Sequence, residues 1–431
     1  MAENAKEEDG LRIVPASEIL AKIERGQIVE YDDVIIEGDL DISKLNLPKE
    51  HIDRTNFERD YLELSEDLTS VNSIIKIKNS KFKDAIKLRN IIFENEVSFT
   101  NCEFDRYVHF AGSQFRGLAA FDESRFNSFT DFTGILIKSL ATYLGTIFDD
   151  RVDFVGSSSN KSIFVGSKFN KDALFMRSRF GTYSQFNGAE FRSADFMQVE
   201  FNDVIYFKKA KFFGITSFLG TKFNGMVEFN GSEFRDSVDF IDVCFLGYAN
   251  FDNCIFDKIA NFGSISLGPS SYLSLKYSSF EKLLLPWRSI KGKLIFDGSA
   301  YLALVKNYNN QGRFNDADEC YYQYMIKRST KLKGFNKMLD FFLFYFYGYG
   351  IRPKYPLILM AVLFIFSVLV YSLDGQASTP INAVELSLLA LTAQIPNGLT
   401  GLCRWWSIAE RILGWLLMSS FLVVLAKKTL R

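Results

Sequence analysis

Proline is scarce in this chain of 431 residues: there are 8, and none lies between Pro48 and Pro269. A stretch that long without proline keeps every backbone N–H available as a donor, which suits one regular hydrogen-bonded element and not a series of loops. Histidine is scarcer still. His51 and His109 are the only two, too few to assemble a base, a nucleophile and an orienting group. No glycine-rich phosphate loop, nucleophile elbow or set of paired metal ligands is present, so neither an enzyme nor a cofactor or metal site is expected. The five cysteines, Cys102, Cys244, Cys254, Cys320 and Cys403, are odd in number and unclustered, which excludes a disulfide framework or a zinc site and leaves reduced thiols. Charge of one sign is also lacking, with 50 Lys plus Arg against 51 Asp plus Glu, so nucleic acid is not an expected partner. The first ten residues are polar and acidic with no basic and apolar signal pattern; residues 1 to about 350 are expected in the cytoplasm.

What the chain has is phenylalanine, 44 of them, and they recur. Phe104, Phe115 and Phe126 are eleven apart, and Phe99, Phe110, Phe121 and Phe132 interleave so that steps alternate five and six. The ladder passes Phe148 and Phe154, loses a residue near Ser159 and another near Phe196, and runs on from Phe207 to Phe262. Backwards it reaches Phe93, Leu88, Phe82 and Ile77, and, across a polar insertion at 48–73, Ile36, Ile42 and Leu47. Two residues before most ladder positions stands a small or β-branched residue, among them Cys102, Ser113, Ser124, Ser167, Ala189, Thr221 and Cys254. Helices need apolar residues three and four apart and strands two apart; five to six fits a chain that turns a corner every five residues. Successive coils of about 22 residues would then lie roughly 4.8 Å apart and bond one above another. Cys102 and Cys254 read as core filler.

These units resemble pentapeptide-repeat proteins, in which five- and six-residue units alternate. The resemblance implies a right-handed quadrilateral β-helix over 34–267, preceded by a polar segment at 1–33 with a short helix. Some members of that family mimic duplex DNA through negative charge. The stretch 74–267 holds 23 acidic and 23 basic residues, so that role is not expected here.

After Leu267 the period turns helical. Tyr301, Leu302, Leu304, Val305 and Tyr308, then Ala317, Cys320, Tyr321, Tyr324 and Met325, predict a helical hairpin within a connector at 268–337. It resembles a single tetratricopeptide-like helix pair, with capping the expected role. Lys327, Arg328, Lys331, Lys333 and Lys337 lead into Phe341, Phe342, Phe344, Tyr345, Phe346, Tyr347 and Tyr349, the pattern of a headgroup-level helix at 338–353. Residues 355–373 carry no charge and are long enough to cross a bilayer. A second apolar run, 405–426, ends at Lys427, Lys428 and Arg431, so basic flanks predict a multi-pass protein of the cell membrane with both termini cytoplasmic. Between them, the apolar stretch 382–392 is too short to span and predicts a re-entrant half-helix.

Span, half-helix, loop and span over 354–431 resemble the two-transmembrane pore domain of potassium-channel-like proteins. Arg404, Glu410, Gly414, Trp415, Phe421, Leu425, Ala426 and Lys427 are similar to that family's inner helix, with Gly414 where such helices bend. The resemblance implies a tetramer conducting inorganic ions through filter-like residues Thr392, Ala393, Gln394, Ile395, Pro396 and Asn397. The family's filter glycines are missing here, and Pro396 fixes φ where glycine would allow it to be positive. Potassium selectivity is therefore not expected. Glu385, Glu410 and Arg411 are ionisable groups at membrane depth, where pairing or function is the default. Two readings stay open: an ion channel-like pore with a cytoplasmic solenoid that senses or docks a protein partner, and a non-conducting membrane-anchored scaffold.

Overall fold

The computed structural model describes residues 7–8, 10–374, 379–392, 394 and 399–429. The chain divides into two compact units, Met1–Ala303 and Leu304–Arg431.

The first unit is a β-solenoid of about 12 turns. Short strands form four columns, and within the columns neighbours pair in parallel, one coil apart. Phe82, Phe104, Phe126 and Phe148 stand in register in one column. From Phe104 through Phe126, Phe148, Phe169, Phe191, Phe212 and Phe234 to Phe256, ring centroids are 4.6–5.2 Å apart with interplanar angles of 2–11°. The coil rise therefore sets the ring spacing. Rings of adjoining columns meet edge to face, as Phe218 does with Phe207 at 5.8 Å and 87°, the geometry their quadrupoles favour. Each such ring, removed from water, contributes roughly 1.5–3 kcal/mol.

The small residues form a second rail. The hydroxyls of Ser113, Ser124 and Thr221 donate to the carbonyls of Leu88, Phe99 and Phe196 at 2.7, 2.8 and 2.5 Å, each 25 residues earlier in the chain. Cys254 takes the same place, its thiol donating to the Phe229 carbonyl at 3.0 Å. Cys102 does likewise toward Ile77, and burial pushes its thiol up to about 12. These buried hydroxyls and thiols inside the rod are thus satisfied by the coil below.

The two missing residues are taken up at corners. Pairing shifts between Ile137 and Leu140 against Ser159 and Lys161, and again between Phe169 and Asp172 against Phe191 and Ser193. Stack geometry survives because the loss falls between faces.

The ladder is longer than the phenylalanine series at both ends. Strand Leu11–Pro15 already pairs in parallel with Val34–Glu37, and Ser279–Leu284 adds a last coil beyond position 267. Helix α1 (Ala16–Glu24) closes the first end with buried Ala16, Ile19 and Ile23. At the other end the short helix α2 (Trp287–Ile290) brings Trp287 and Ile290 to the core. A Leu273–Leu294 bridge completes that cap. Caps of this kind shield the ends of a solenoid core from water and from edge pairing.

The 48–73 insertion folds as an antiparallel pair, Lys49–His51 with Asp67–Val71, and packs on the flank of the rod. Gly134 has φ +60°, and a Cβ there would lie 2.2 Å from Leu64 Cδ1. The insertion sits where a left-handed turn is bare of side chain. Arg54 pins it, donating to the Gly112 and Ser65 carbonyls at 2.5 and 2.7 Å.

Helix α3 (Gly298–Asn310) contains the division between units. In the second unit it is followed by α4 (Phe314–Ser329), α5 (Gly334–Ile351), α6 (Lys354–Leu373), α7 (Pro380–Leu391) and α8 (Gly401–Thr429). Helices α3 and α4 lie where the sequence predicts two helices, and Tyr308, Ala317 and Cys320 on them are buried. Helices α6 and α8 are long and apolar enough to cross a membrane; α7, with 12 residues, is not.

Candidate functional site in the helical unit

Helix α7 is started by its own sequence: Thr379 caps it by accepting the Asn382 amide at 3.3 Å, and Pro380 occupies the first turn, both favoured choices. It rests on α6 and α8 through Ala383, Ser387 and Ala390, which are buried, while Ile381, Val384, Glu385 and Leu388 are exposed. Spacings of four and three put the small residues on one face, and their size permits close approach.

On that buried face the three helices meet at one carboxylate. Glu410 of α8 is 0% exposed. Its Oε2 accepts the Tyr371 hydroxyl of α6 at 2.8 Å, and its Oε1 accepts the Ser387 hydroxyl of α7 at 2.5 Å. Trp406 of α8 donates to Ser367 of α6 at 3.0 Å nearby. Tyr371, Ala383 and Cys403 pack as a small apolar cluster beside the carboxylate. Each carboxylate oxygen therefore has a hydroxyl donor from a different helix, an arrangement that ties α6, α7 and α8 to one another.

The other residues singled out from the sequence are distributed differently. Glu385 is on the exposed face of α7 and does not join Glu410. Arg411 is half-buried and, one residue from Glu410, points off by the helical step of about 100°. An ion pair orienting the second helix was one expectation for Glu410; hydrogen bonds to neutral hydroxyls take its place. Gly414 is on the buried face of α8. Helix α8 is continuous through it, and a Cβ there would lie 2.7 Å from Leu391 Cδ2, so the glycine lets the end of α7 close onto α8. Thr392 ends α7, its hydroxyl reaching back to the Leu388 and Leu389 carbonyls at 2.8 and 3.1 Å. Gln394 is exposed, its backbone N–H donating to the Leu389 carbonyl at 2.9 Å. Ala393, Ile395, Pro396 and Asn397 lie outside the described residues. Thr392 and Gly414 share an apolar crevice of about 500 Å³ with Met360, Leu391, Trp415 and Met418.

Tyr371 and Ser387 were missed by sequence reasoning, although a signal existed: each is a hydroxyl flanked by apolar residues in a largely apolar helix. Among the described residues no group of His, Cys, Asp and Glu is arranged to hold a metal.

The exposed faces complete the picture. Helix α6 exposes Ile358, Val362, Ile365 and Leu369 and buries Ser367 and Tyr371; α8 exposes Trp405, Ile412, Trp415 and Leu422 and buries Ser407, Glu410 and Ser420. Most hydroxyls and the Glu410 carboxylate face inward, and most of the exposed area of α6 and α8 is apolar.

Comparison with protein families identifies pentapeptide repeats, nine copies, at residues 77–125, 186–233 and 207–255. The solenoid is thus built of pentapeptide repeats. Comparison with curated proteins and with solved structures gave no significant match.

Proposed function

We propose that this is a multi-pass protein of the cell membrane in which α6 and α8 cross the bilayer, α7 enters and leaves on one side, and several copies form a pore for inorganic ions. The pentapeptide-repeat rod is its cytoplasmic sensing or docking part. The single observation that carries the proposal is the inside-out character of α6, α7 and α8. Ser367, Tyr371, Ser387, Ser407, Glu410 and Ser420 are buried there beside Ala383, Ala390, Leu417 and Val424, and the exposed faces are mainly leucine, isoleucine, valine and tryptophan. Such faces are stable against lipid and not against water. Helix α7, about 18 Å long at 1.5 Å per residue, is too short to span. Its small-residue face is tied to Glu410, and its other face, with Glu385 and Leu388, is left for a neighbouring copy or a common axis. A tetramer follows the likeness to potassium-channel-like pores, and the missing filter glycines favour a non-selective or differently selective path.

The rival is a membrane-anchored scaffold that conducts nothing, and Pro396 in the filter-like stretch favours it, because a filter of backbone carbonyls needs glycine-like freedom. Flux from liposomes or planar-bilayer recording of the purified chain, together with its oligomeric state in detergent, separates the two. Current from a closed oligomer supports the pore. An intact oligomer silent under voltage, tension and ionic gradients leaves the scaffold, and a monomer in detergent removes the central pore.

A further inference from the structure

Helix α5 presents an unusual surface. Met338, Leu339, Phe341, Phe342 and Tyr345 are all exposed on it, yet its one acidic residue is hidden. Asp340 is 5% exposed, and its Oδ2 accepts the Tyr349 hydroxyl at 2.9 Å. Tyr349 lies in a left-handed turn with Gly348 and Gly350, at φ 53°, 50° and 70°, which carries the chain from α5 toward Lys354 at the start of α6. A tyrosine in that conformation is costly, and the bond to Asp340 helps to hold it there. Meanwhile Arg328, Lys331, Lys333 and Lys337, at the end of α4 and the start of α5, are all exposed. The helix therefore shows apolar side chains and positive charge and withdraws its negative charge.

We infer that α5 docks on a membrane surface and selects anionic lipid headgroups there, with Lys331 and Lys333 supplying contacts and Asp340 kept out of the field. The occupant follows from charge complementarity and from continuity, since α5 is followed within three residues by a helix apolar enough to span. The inference rests on α6 and α8 crossing a bilayer and is independent of whether ions pass.

The test uses the full chain in lipid nanodiscs, with Cys244, the one half-exposed cysteine, changed to Ser and an environment-sensitive fluorophore on Met338→Cys. Quenching by brominated phosphatidylglycerol is compared with quenching by brominated phosphatidylcholine. The expected result is a label shielded from aqueous iodide and a clear preference for the anionic lipid. Lys331→Gln and Lys333→Gln should each lower that preference on the order of fivefold. Leu339→Asp, which exposes a carboxylate on the same surface, should lower it too, while Asp340→Asn should leave it unchanged. Equal quenching by the two lipids, free access of iodide, or a preference that rises in Asp340→Asn would overturn the inference. A chain that enters nanodiscs but keeps its label in water defeats this inference alone; a chain that never enters defeats the spanning reading with it.

Discussion

The two units of this protein obey opposite rules about what goes inside. In the solenoid, phenylalanine is buried and charge is outside: Phe223 is fully buried in its stack, and the charged side chains pair along the surface, as Lys222 does with Glu200 at 3.1 Å. In the helical unit α6, α7 and α8 bury hydroxyls and a carboxylate and expose aliphatic faces. The first pattern is stable because water is the solvent on every side, and apolar burial is the driving term. The second is what the proposed bilayer would favour, because in an apolar solvent close packing and hydrogen bonds must hold helices together. The nature of the solvent, more than composition, decides which residues carry stability.

The contrast can be broken most sharply by one kind of substitution in two places. Phe223→Asp puts an uncompensated carboxylate between the rings of Phe201 and Phe245, 5.1 and 5.2 Å away. The expected loss is about 4 kcal/mol or more, with several coils unfolding together because each repeat leans on its neighbours. A melting curve by circular dichroism that matches the parent would contradict the inward assignment. Val362→Asp puts the same group on an exposed face of α6. On a water-soluble surface that change would be nearly neutral, whereas at membrane depth it costs about 3 kcal/mol. Membrane fractionation of the expressed variant distinguishes the two: full retention in the membrane with normal thermal stability would remove the lipid-facing assignment.

Glu410→Leu sharpens the other side of the comparison. It strands the Tyr371 and Ser387 hydroxyls, and each buried unpaired group costs about 1–3 kcal/mol, partly offset by the added apolar side chain. A net loss of about 2 kcal/mol in detergent is expected, with α7 becoming the first segment cut by protease, while Glu410→Gln retains more of the parent stability. Unchanged protease resistance of α7 in Glu410→Leu would show that small-residue packing at Ala383 and Ala390 suffices.

How far the sequence could be read follows the same division. The phenylalanine ladder was legible because every inward position repeats the same chemistry at a fixed interval, and the interval itself excludes helix and simple strand. The strand Leu11–Pro15 escaped because Ile13 and Val14 do there what phenylalanine does later, and a short aliphatic run carries no such signature. The packing of the insertion escaped because Leu64 meets Gly134 across 70 positions, and only folding brings them together. In the helical unit the long apolar runs announced α6 and α8, and the short apolar stretch at 382–392 announced α7. The partners of Glu410 could not be read, because a single contact among three helices has no period. Arg411 was the nearest charge along the chain, yet adjacent helical positions face different ways, and the true donors stand 39 and 23 residues earlier.

The smallest expected effect tests how strictly the solenoid excludes polarity. Tyr143 takes the place of a phenylalanine in one stack, its ring 4.5 Å from that of Phe164 at an interplanar angle of 1°. Among the described residues its buried hydroxyl has no hydrogen-bond partner, whereas Ser113, Ser124, Ser167 and Thr221 donate to the coil below. Tyr143→Phe keeps the ring and removes the stranded group, so stability should rise by about 1 kcal/mol, read as a higher melting temperature with the same transition width. The ring contributes by stacking alone if that holds. A fall in stability would mean instead that the hydroxyl is held by ordered water, and that this coil, beside the corner where Ser159 and Ser162 replace apolar residues and bond to each other at 2.7 Å, tolerates a polar interior that the rest of the rod does not.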